Sequence, residues 1–266
     1  MTDNKSPLRY PGGKTRACKI LDEITLEYYD IEKYKSIISP FFGGGSFEFY
    51  MQNKYGMKIF ANDKFIPLYN FWNTCVYNKN ELCNKLYEKV GKIEKGDFSD
   101  YRRDIIDEKN IMNQSMMYFI INRCSFSGAT LSGGFSLEAS RKRFTKSSID
   151  RISKLDMKNF EIYNNDYEEF INNIIHNVHD GLIFLDPPYC LDAESSKLYG
   201  NNGDMHENFD HNRLYEYLSS KNNWIMTYNN CSKIKEMYSK YKIIETNWSY
   251  GMNKTKKSSE IVIIGK

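Results

Sequence analysis

The stretch that most limits how this chain can fold is an apolar run, Leu182-Ile183-Phe184-Leu185, cut off by Asp186-Pro187-Pro188-Tyr189. Four consecutive apolar residues bounded in this way read as a strand buried on both faces. The prolines end it, because they offer no backbone N–H and fix φ. Each also forces the residue before it into an extended conformation. The chain therefore leaves a sheet stiffly, carrying one carboxylate, carbonyls free of ladder duty and one aromatic ring. Such an exit suits a flat heterocycle with an amino group: acceptors for its N–H, a ring for its face. Asp-Pro alone is equally a solvated turn, so a partner site elsewhere must carry the functional reading.

Similar short apolar segments recur. Strands are expected at Ser36–Ser39, Met57–Ala61, Phe160–Tyr163, Trp224–Tyr228, Tyr241–Glu245 and Glu260–Ile264, with helical patterns between them. This α/β rhythm breaks only from about Phe65 to Leu155, where helical stretches (Leu68, Phe71, Trp72, Cys75, then Leu82, Leu86, Val90) and a Gly/Ser-rich loop replace it. At 266 residues the chain has room for one large domain with an inserted lobe. Its 41% hydrophobic and 27% charged residues are those of an ordinary globular protein. No apolar run approaches the roughly 20 residues of a membrane span. Met1-Thr2-Asp3-Asn4-Lys5 lacks a signal-peptide core, so an intracellular, reducing location and no membrane partner are expected. Cys18, Cys75, Cys83, Cys124, Cys190 and Cys231 include no Cys-x-x-Cys pair and read as free thiols. The four histidines form no metal constellation; His176 and His179 read as surface residues near a helix end.

Three loops could partner the Asp-Pro-Pro-Tyr exit. Arg9-Tyr10-Pro11-Gly12-Gly13-Lys14-Thr15 resembles a phosphate loop, but Leu8 stands where that motif needs glycine. Phe41-Phe42-Gly43-Gly44-Gly45-Ser46 lies between a strand and a helix. That is the place where missing Cβ atoms let a ligand approach the backbone. Glu48 replaces the last fingerprint glycine, which disfavours a pyrophosphate. Asp63 follows the second strand, 18 residues after Gly45, close to the roughly 20-residue offset at which an acid meets ribose hydroxyls. It also fits a helix N-cap, as does Asp166.

The inserted stretch contains Asn122-Arg123-Cys124-Ser125-Phe126-Ser127-Gly128-Ala129-Thr130-Leu131, a hairpin-like loop, followed by Arg141-Lys142-Arg143 and Lys146. Small residues at a tip with cations beside it suit a groove-entering element, cations for phosphates and the tip for base edges. Net charge is only +3, and this cluster, like Lys254 with Lys256-Lys257, is equally a solvated face.

Taken together and in order, Arg9-Tyr10-Pro11-Gly12-Gly13-Lys14, Phe41-Phe42-Gly43-Gly44-Gly45, Asn62-Asp63 and Asp186-Pro187-Pro188-Tyr189 resemble the Dam-like (D12 class) DNA N6-adenine methyltransferases. The resemblance extends to Asn122-Arg123, Phe209-Asp210-His211 and Lys257-Ser258-Ser259-Glu260. It implies a Rossmann-like SAM-dependent methyltransferase fold, a mixed, mostly parallel sheet with helices on both faces. Residues 1–64 and 156–266 would form the catalytic domain. Residues 65–155 would be an inserted, mainly helical target-recognition domain containing a β-hairpin.

The resemblance further implies S-adenosyl-L-methionine as cofactor and S-adenosyl-L-homocysteine as product. Tyr10 and Lys14 would line the methionine and sulfonium end, the ring attracting the cation and Lys14 matching the carboxylate. Phe41, Gly43 and Gly45 would bring backbone to the cofactor, Asp63 would take its ribose and Asp166 its adenine amine. Asp186, Pro187 and Tyr189 would hold a flipped-out adenine of double-stranded DNA, with Asp186 also facing the cofactor. Asn122, Arg123, Ser125, Phe126, Ser127, Thr130, Arg141, Arg143 and Lys146 are the candidate DNA contacts. GATC-methylating members carry a base-reading arginine after an Asn-Gly in the hairpin. Ser127-Gly128-Ala129-Thr130-Leu131 has none, which argues against GATC as the site. A cognate restriction endonuclease is a further candidate partner, and monomer and dimer both stay open. The alternatives are methylation of cytosine N4, methylation of RNA adenine, and an inactive DNA-binding relative.

Overall fold

The computed structural model describes residues 4–10, 13–190, 209–249 and 257–266. Lys254, Lys256 and nearly all of the loop expected from Cys190 to Asn208 lie outside them. Seven strands form one sheet: β1 (Ser36–Ser39), β2 (Lys58–Asn62), β3 (Phe160–Tyr163), β4 (Gly181–Leu185), β5 (Trp224–Asn229), β6 (Lys242–Ser249) and β7 (Lys257–Gly265). Their order is β3-β2-β1-β4-β5-β7-β6. β3 to β5 run parallel through β1, while β7 inserts antiparallel between β5 and β6.

Both faces of the sheet are covered, and alternation within each strand decides which residue goes where. On one face Ile37, Ile59, Leu182, Phe184, Ile225, Val262 and Ile264 join a core with α1 (Cys18–Tyr28) and α2 (Ser46–Tyr55). On the other, Ile38, Phe60, Ile183, Leu185, Met226, Ile261 and Ile263 meet α9 (Tyr167–Ile175), α10 (His211–Leu218) and α11 (Ser232–Met237). β4, in the middle of the sheet, is apolar from Leu182 to Leu185 because both its faces are buried.

Between β2 and β3 run α3 (Ile66–Tyr77), α4 (Lys79–Lys89), α5 (Lys95–Asp104), α6 (Ile111–Cys124), α7 (Leu137–Lys142) and α8 (Lys146–Ser153). Their apolar residues, among them Phe71, Trp72, Leu82, Phe119 and Ile149, belong to the first core rather than a separate one. Phe42 and Phe49 of the sheet layer pack edge-on or tilted against Trp72, with ring centroids 5.2 and 5.7 Å away. Among the described residues no helix is long and apolar enough to cross a membrane.

The expected hairpin takes a different form. Residues 126–132 make two 3-10 turns, Phe126–Gly128 and Thr130–Ser132, and a single bridge joins Ser125 to Phe135. Side chains explain this: Ser125 Oγ accepts from Thr130 N at 3.2 Å, and Thr130 Oγ1 donates to Gly128 O at 3.2 Å. Local bonds of this kind compete with a strand ladder.

Gly45 caps α2 at φ +67°, and a Cβ there would lie 2.4 Å from the Phe42 ring. Gly45→Ala is expected to cost about 1–3 kcal/mol through strain and displaced packing. Urea unfolding checks it: the midpoint should fall with an unchanged slope, and a midpoint equal to wild type refutes it.

Candidate active site

β1 and β4 are parallel neighbours, yet the chain leaves β1 toward β2 and leaves β4 toward β5. This is a topological switch point, where open α/β sheets leave a crevice beyond the carboxyl ends of the strands. The glycine turn follows β1, Asp63 follows β2, Asp166 lies beyond β3 and Asp186-Pro187-Pro188-Tyr189 follows β4. The topology thus gathers motifs that the sequence scatters.

At the centre lies Lys14, in a 3-10 turn and only 4% exposed. Its Nζ is 2.9 Å from Asp186 Oδ2, donates to Tyr189 Oη at 2.7 Å and is 3.8 Å from Glu260 Oε2. Asp186 Oδ1 accepts from Thr227 Oγ1 at 2.7 Å and from Tyr189 Oη at 3.3 Å. The carboxylate plane is therefore fixed from both sides. The Tyr189 ring stacks on Tyr228, centroids 5.9 Å apart, and the Tyr228 hydroxyl pairs with His211 Nδ1. Burial pushes the Tyr228 hydroxyl well above its ordinary pKa, so it stays a neutral phenol. Among the described residues nothing donates to the Pro187 carbonyl.

The glycine turn is pinned from below. Gly43 N–H donates to Asp63 Oδ2 at 3.0 Å, Phe65 N–H to Asp63 Oδ1 at 2.9 Å, and Trp72 Nε1 to Gly43 O at 2.9 Å. Burial raises the Asp63 carboxyl to about 6 against the pull of those two backbone bonds. Gly43 has φ +51°, and a Cβ on it would lie 2.9 Å from the Tyr10 ring; one on Gly44 would lie 2.8 Å from Tyr10 Cβ. The room that these glycines leave is used by the chain's own Tyr10. Phe41 packs on Tyr167 and Phe209 at the rim.

A family model for the D12 class N6 adenine-specific DNA methyltransferases matches residues 10–252. The chain belongs to this family. No curated protein matches it.

Several positions acquire partners that their residue types alone did not reveal. Lys14, which the resemblance paired with the methionine carboxylate, is bound to Asp186 and Tyr189. Asp166 caps α9, accepting from Glu168 N at 3.2 Å, and pairs with Arg213 at 3.1 Å and Lys64 at 3.4 Å. Asn122 and Ser125 are fully buried, and Arg123 nearly so, donating to Arg143 O at 2.8 Å and Pro7 O at 3.2 Å. Phe126, by contrast, is 68% exposed, Arg143 and Lys146 are exposed and Thr130 is half-buried. Arg141 is exposed but tied to Glu94 at 2.6 Å and to Gly91 O. The Ser127 side chain lies outside what the structure describes.

The sequence reading missed Thr227, Tyr228, Glu260 and Glu48 of the methyltransferase as site residues. Glu260 is an acid opening the apolar strand Ile261-Val262-Ile263-Ile264 and closes the Lys257-Ser258-Ser259-Glu260 segment of the resemblance. Thr227 and Tyr228 left no trace, since both are ordinary strand formers. Glu48 is buried on α2 and accepts from Ser39 Oγ at 2.5 Å. Burial, with the field of Asp186 adding, raises its carboxyl from 4.5 to about 7.

A carboxyl whose folded pKa lies above its unfolded value binds more protons folded than unfolded within that window. Its stabilising contribution is complete below pH 4.5 and fades as pH rises to about 7. Urea titrations of wild type and Glu48→Gln across this range should show wild type losing stability relative to the variant as pH rises. A difference that stays constant or grows refutes the assignment.

Proposed function

We propose that this DNA adenine methyltransferase moves the methyl group of S-adenosyl-L-methionine to the 6-amino group of an adenine turned out of double-stranded DNA. The observation that carries the reading is the Asp186 carboxylate, held by Lys14, Thr227 and Tyr189 at the switch-point crevice.

The crevice fits the cofactor. Asp63 stands at the end of β2, where a nucleoside diol is met in such folds. Two backbone N–H groups occupy only part of its acceptor capacity, and hydroxyl donors favour its ionised form. Gly43 and Gly45 are buried under the rings of Tyr10 and Phe42, so it is Tyr10 and Phe41 that offer rings beside the crevice. Asp166, half-exposed, can accept from an amine at the crevice edge in exchange for Lys64 or Arg213. When bound, S-adenosyl-L-methionine supplies an electrophilic methyl on a sulfonium and leaves as S-adenosyl-L-homocysteine.

The chain's own groups supply the rest. A carboxylate accepts about four hydrogen bonds, and three are made to Asp186 here, so a direction remains for one N–H of the target amine. The Pro187 carbonyl takes the other. Both acceptors draw the amine away from conjugation with its ring and stabilise the positive charge that builds on nitrogen as it attacks. Lys14 orients Asp186 from behind, and Tyr189, backed by Tyr228, gives the base a face to stack on. Holding nitrogen and methyl in line accounts for much of the acceleration.

Extrusion of the adenine follows from access, since its amine is out of reach inside a duplex. The DNA surface lies around the 125–135 loop. Phe126 stands out from it, and Arg9, Arg123, Arg143 and Arg151 cluster beside it. Burial is the first cause that lowers the Arg123 pKa to about 10, and the neighbouring Arg151, Arg9 and Arg143 add to it with their positive potential. Such potential attracts phosphates.

Two measurements test the proposal. Nucleosides from DNA incubated with the enzyme and S-adenosyl-L-methionine should contain N6-methyladenine; N4-methylcytosine, or a preference for RNA in competition, overturns it. Asp186→Ala should remain folded by circular dichroism while methylation falls by about a hundredfold or more. Near-normal turnover in that variant removes Asp186 from the mechanism.

A further inference from the structure

Arg9 opens the segment that leads to Tyr10 and Lys14, and its backbone is gripped by a side chain from the inserted helices. Asn122, in the last turn of α6, accepts from Arg9 N–H at 2.9 Å through Oδ1 and donates to Arg9 O at 2.8 Å through Nδ2. It thus pairs with Arg9 as a neighbouring strand would. Its Nδ2 also donates to Thr130 Oγ1 at 3.1 Å, which uses both amide hydrogens. Only a primary amide can accept and donate in this pattern at one buried point.

Both ends of this bracket are unusual. Thr130 has φ +47°, an outlier for a β-branched residue. Gly128 has φ +71°, and a Cβ on it would lie 2.8 Å from Arg9 Cβ and 2.9 Å from Arg9 O. The loop therefore rests directly on the Arg9 backbone, and Arg9 Nη1 reaches back to Ser125 O at 3.4 Å. On the far side, Tyr10 O accepts from Gly13 N at 3.0 Å and the Tyr10 ring lies on Gly43 and Gly44. A displacement of Thr130 or Gly128 has no slack to absorb it before Arg9 moves.

We infer that Asn122 is a positioning residue that couples the 125–135 loop to the Arg9–Lys14 segment, so that a correct duplex on the loop sets the Lys14–Asp186 pair. Specificity then resides partly in the rate of methyl transfer and not only in DNA affinity. The inference rests on the reading that this loop meets DNA.

The test uses the full-length enzyme and a duplex carrying the site mapped from wild-type products. Thr130→Val keeps the shape but removes the acceptor of the Asn122 amide together with the donor to Gly128 O; Thr130→Ser keeps both, and the Asn122→Ala background isolates the Asn122 bond. The single-turnover rate of Thr130→Val is expected to fall about tenfold, within the roughly 5–150-fold span of such couplings. Its affinities for the duplex and for S-adenosyl-L-methionine should stay within about twofold of wild type. Thr130→Ser should restore the rate. In Asn122→Ala the Thr130→Val substitution should cost nothing more, whereas independent roles give losses that multiply.

Equal rates for the Val and Ser variants, multiplying losses, or weaker duplex binding with an unchanged rate each overturn the coupling. Should Asn122→Ala fail to fold, the Val and Ser pair decides alone. Failure of the wild-type enzyme to methylate any DNA would strike the functional reading instead, which keeps the two apart.

Discussion

The ion pair between Lys14 and Asp186 joins residues 172 positions apart, and the end of the sheet that carries the candidate site is built around it. An ammonium with 4% exposure is costly unless its donors are met. Here Asp186, Tyr189 and Glu260 surround it, the first two from the turn beyond β4 and the third from β7. Thr227 on β5 holds the other Asp186 oxygen. The site is therefore complete only when the N-terminal turn, the central strands and the closing strand are all in register. Taking away one partner of a buried pair leaves an uncompensated charge, a loss of about 3–5 kcal/mol.

A second constraint follows from the first. Arg9 and Tyr10, which precede Lys14, are held by the inserted helices and the glycine turn. Tyr10 occupies the room over Gly43 and Gly44, while Trp72 of α3 bonds the Gly43 carbonyl from beneath. Asn122 of α6 holds Arg9. The insertion thus shares the apolar core of one sheet face and grips both loops that border the crevice.

Strand positions were legible because burial on both faces demands apolar runs, and every expected strand is present with ends shifted by a residue or a few. β6 and β7 run several residues beyond their apolar centres, Lys242–Ser249 and Lys257–Gly265, because antiparallel pairing continues into polar sequence. The inserted loop, expected as a hairpin, folds as two 3-10 turns closed by one bridge. Its small polar residues look like a tip, but Ser125 and Thr130 spend their hydroxyls on neighbouring backbone and draw the chain into 3-10 turns. Asn122, Arg123 and Ser125 stand where the resemblance implies contacts to DNA. Burial turned them inward, a property that no local pattern encodes.

The sequence by itself determined the alternation of strands and helices, its interruption by helices between the second and third strands, and the chemical kinds gathered at the loops: a carboxylate after a strand, a lysine in a glycine-rich segment, an acid after the second strand. These are local properties, set by side-chain periodicity and by what proline and glycine allow the backbone. Only the tertiary structure decided which groups meet. The match of Lys14 to Asp186 rather than to a free carboxylate, the place of Thr227 and Glu260, and the hold of Asn122 on Arg9 depend on strand order and on packing between distant elements. Distance in space is fixed by how layers close over a shared core, and spacing along the chain carries little information about it.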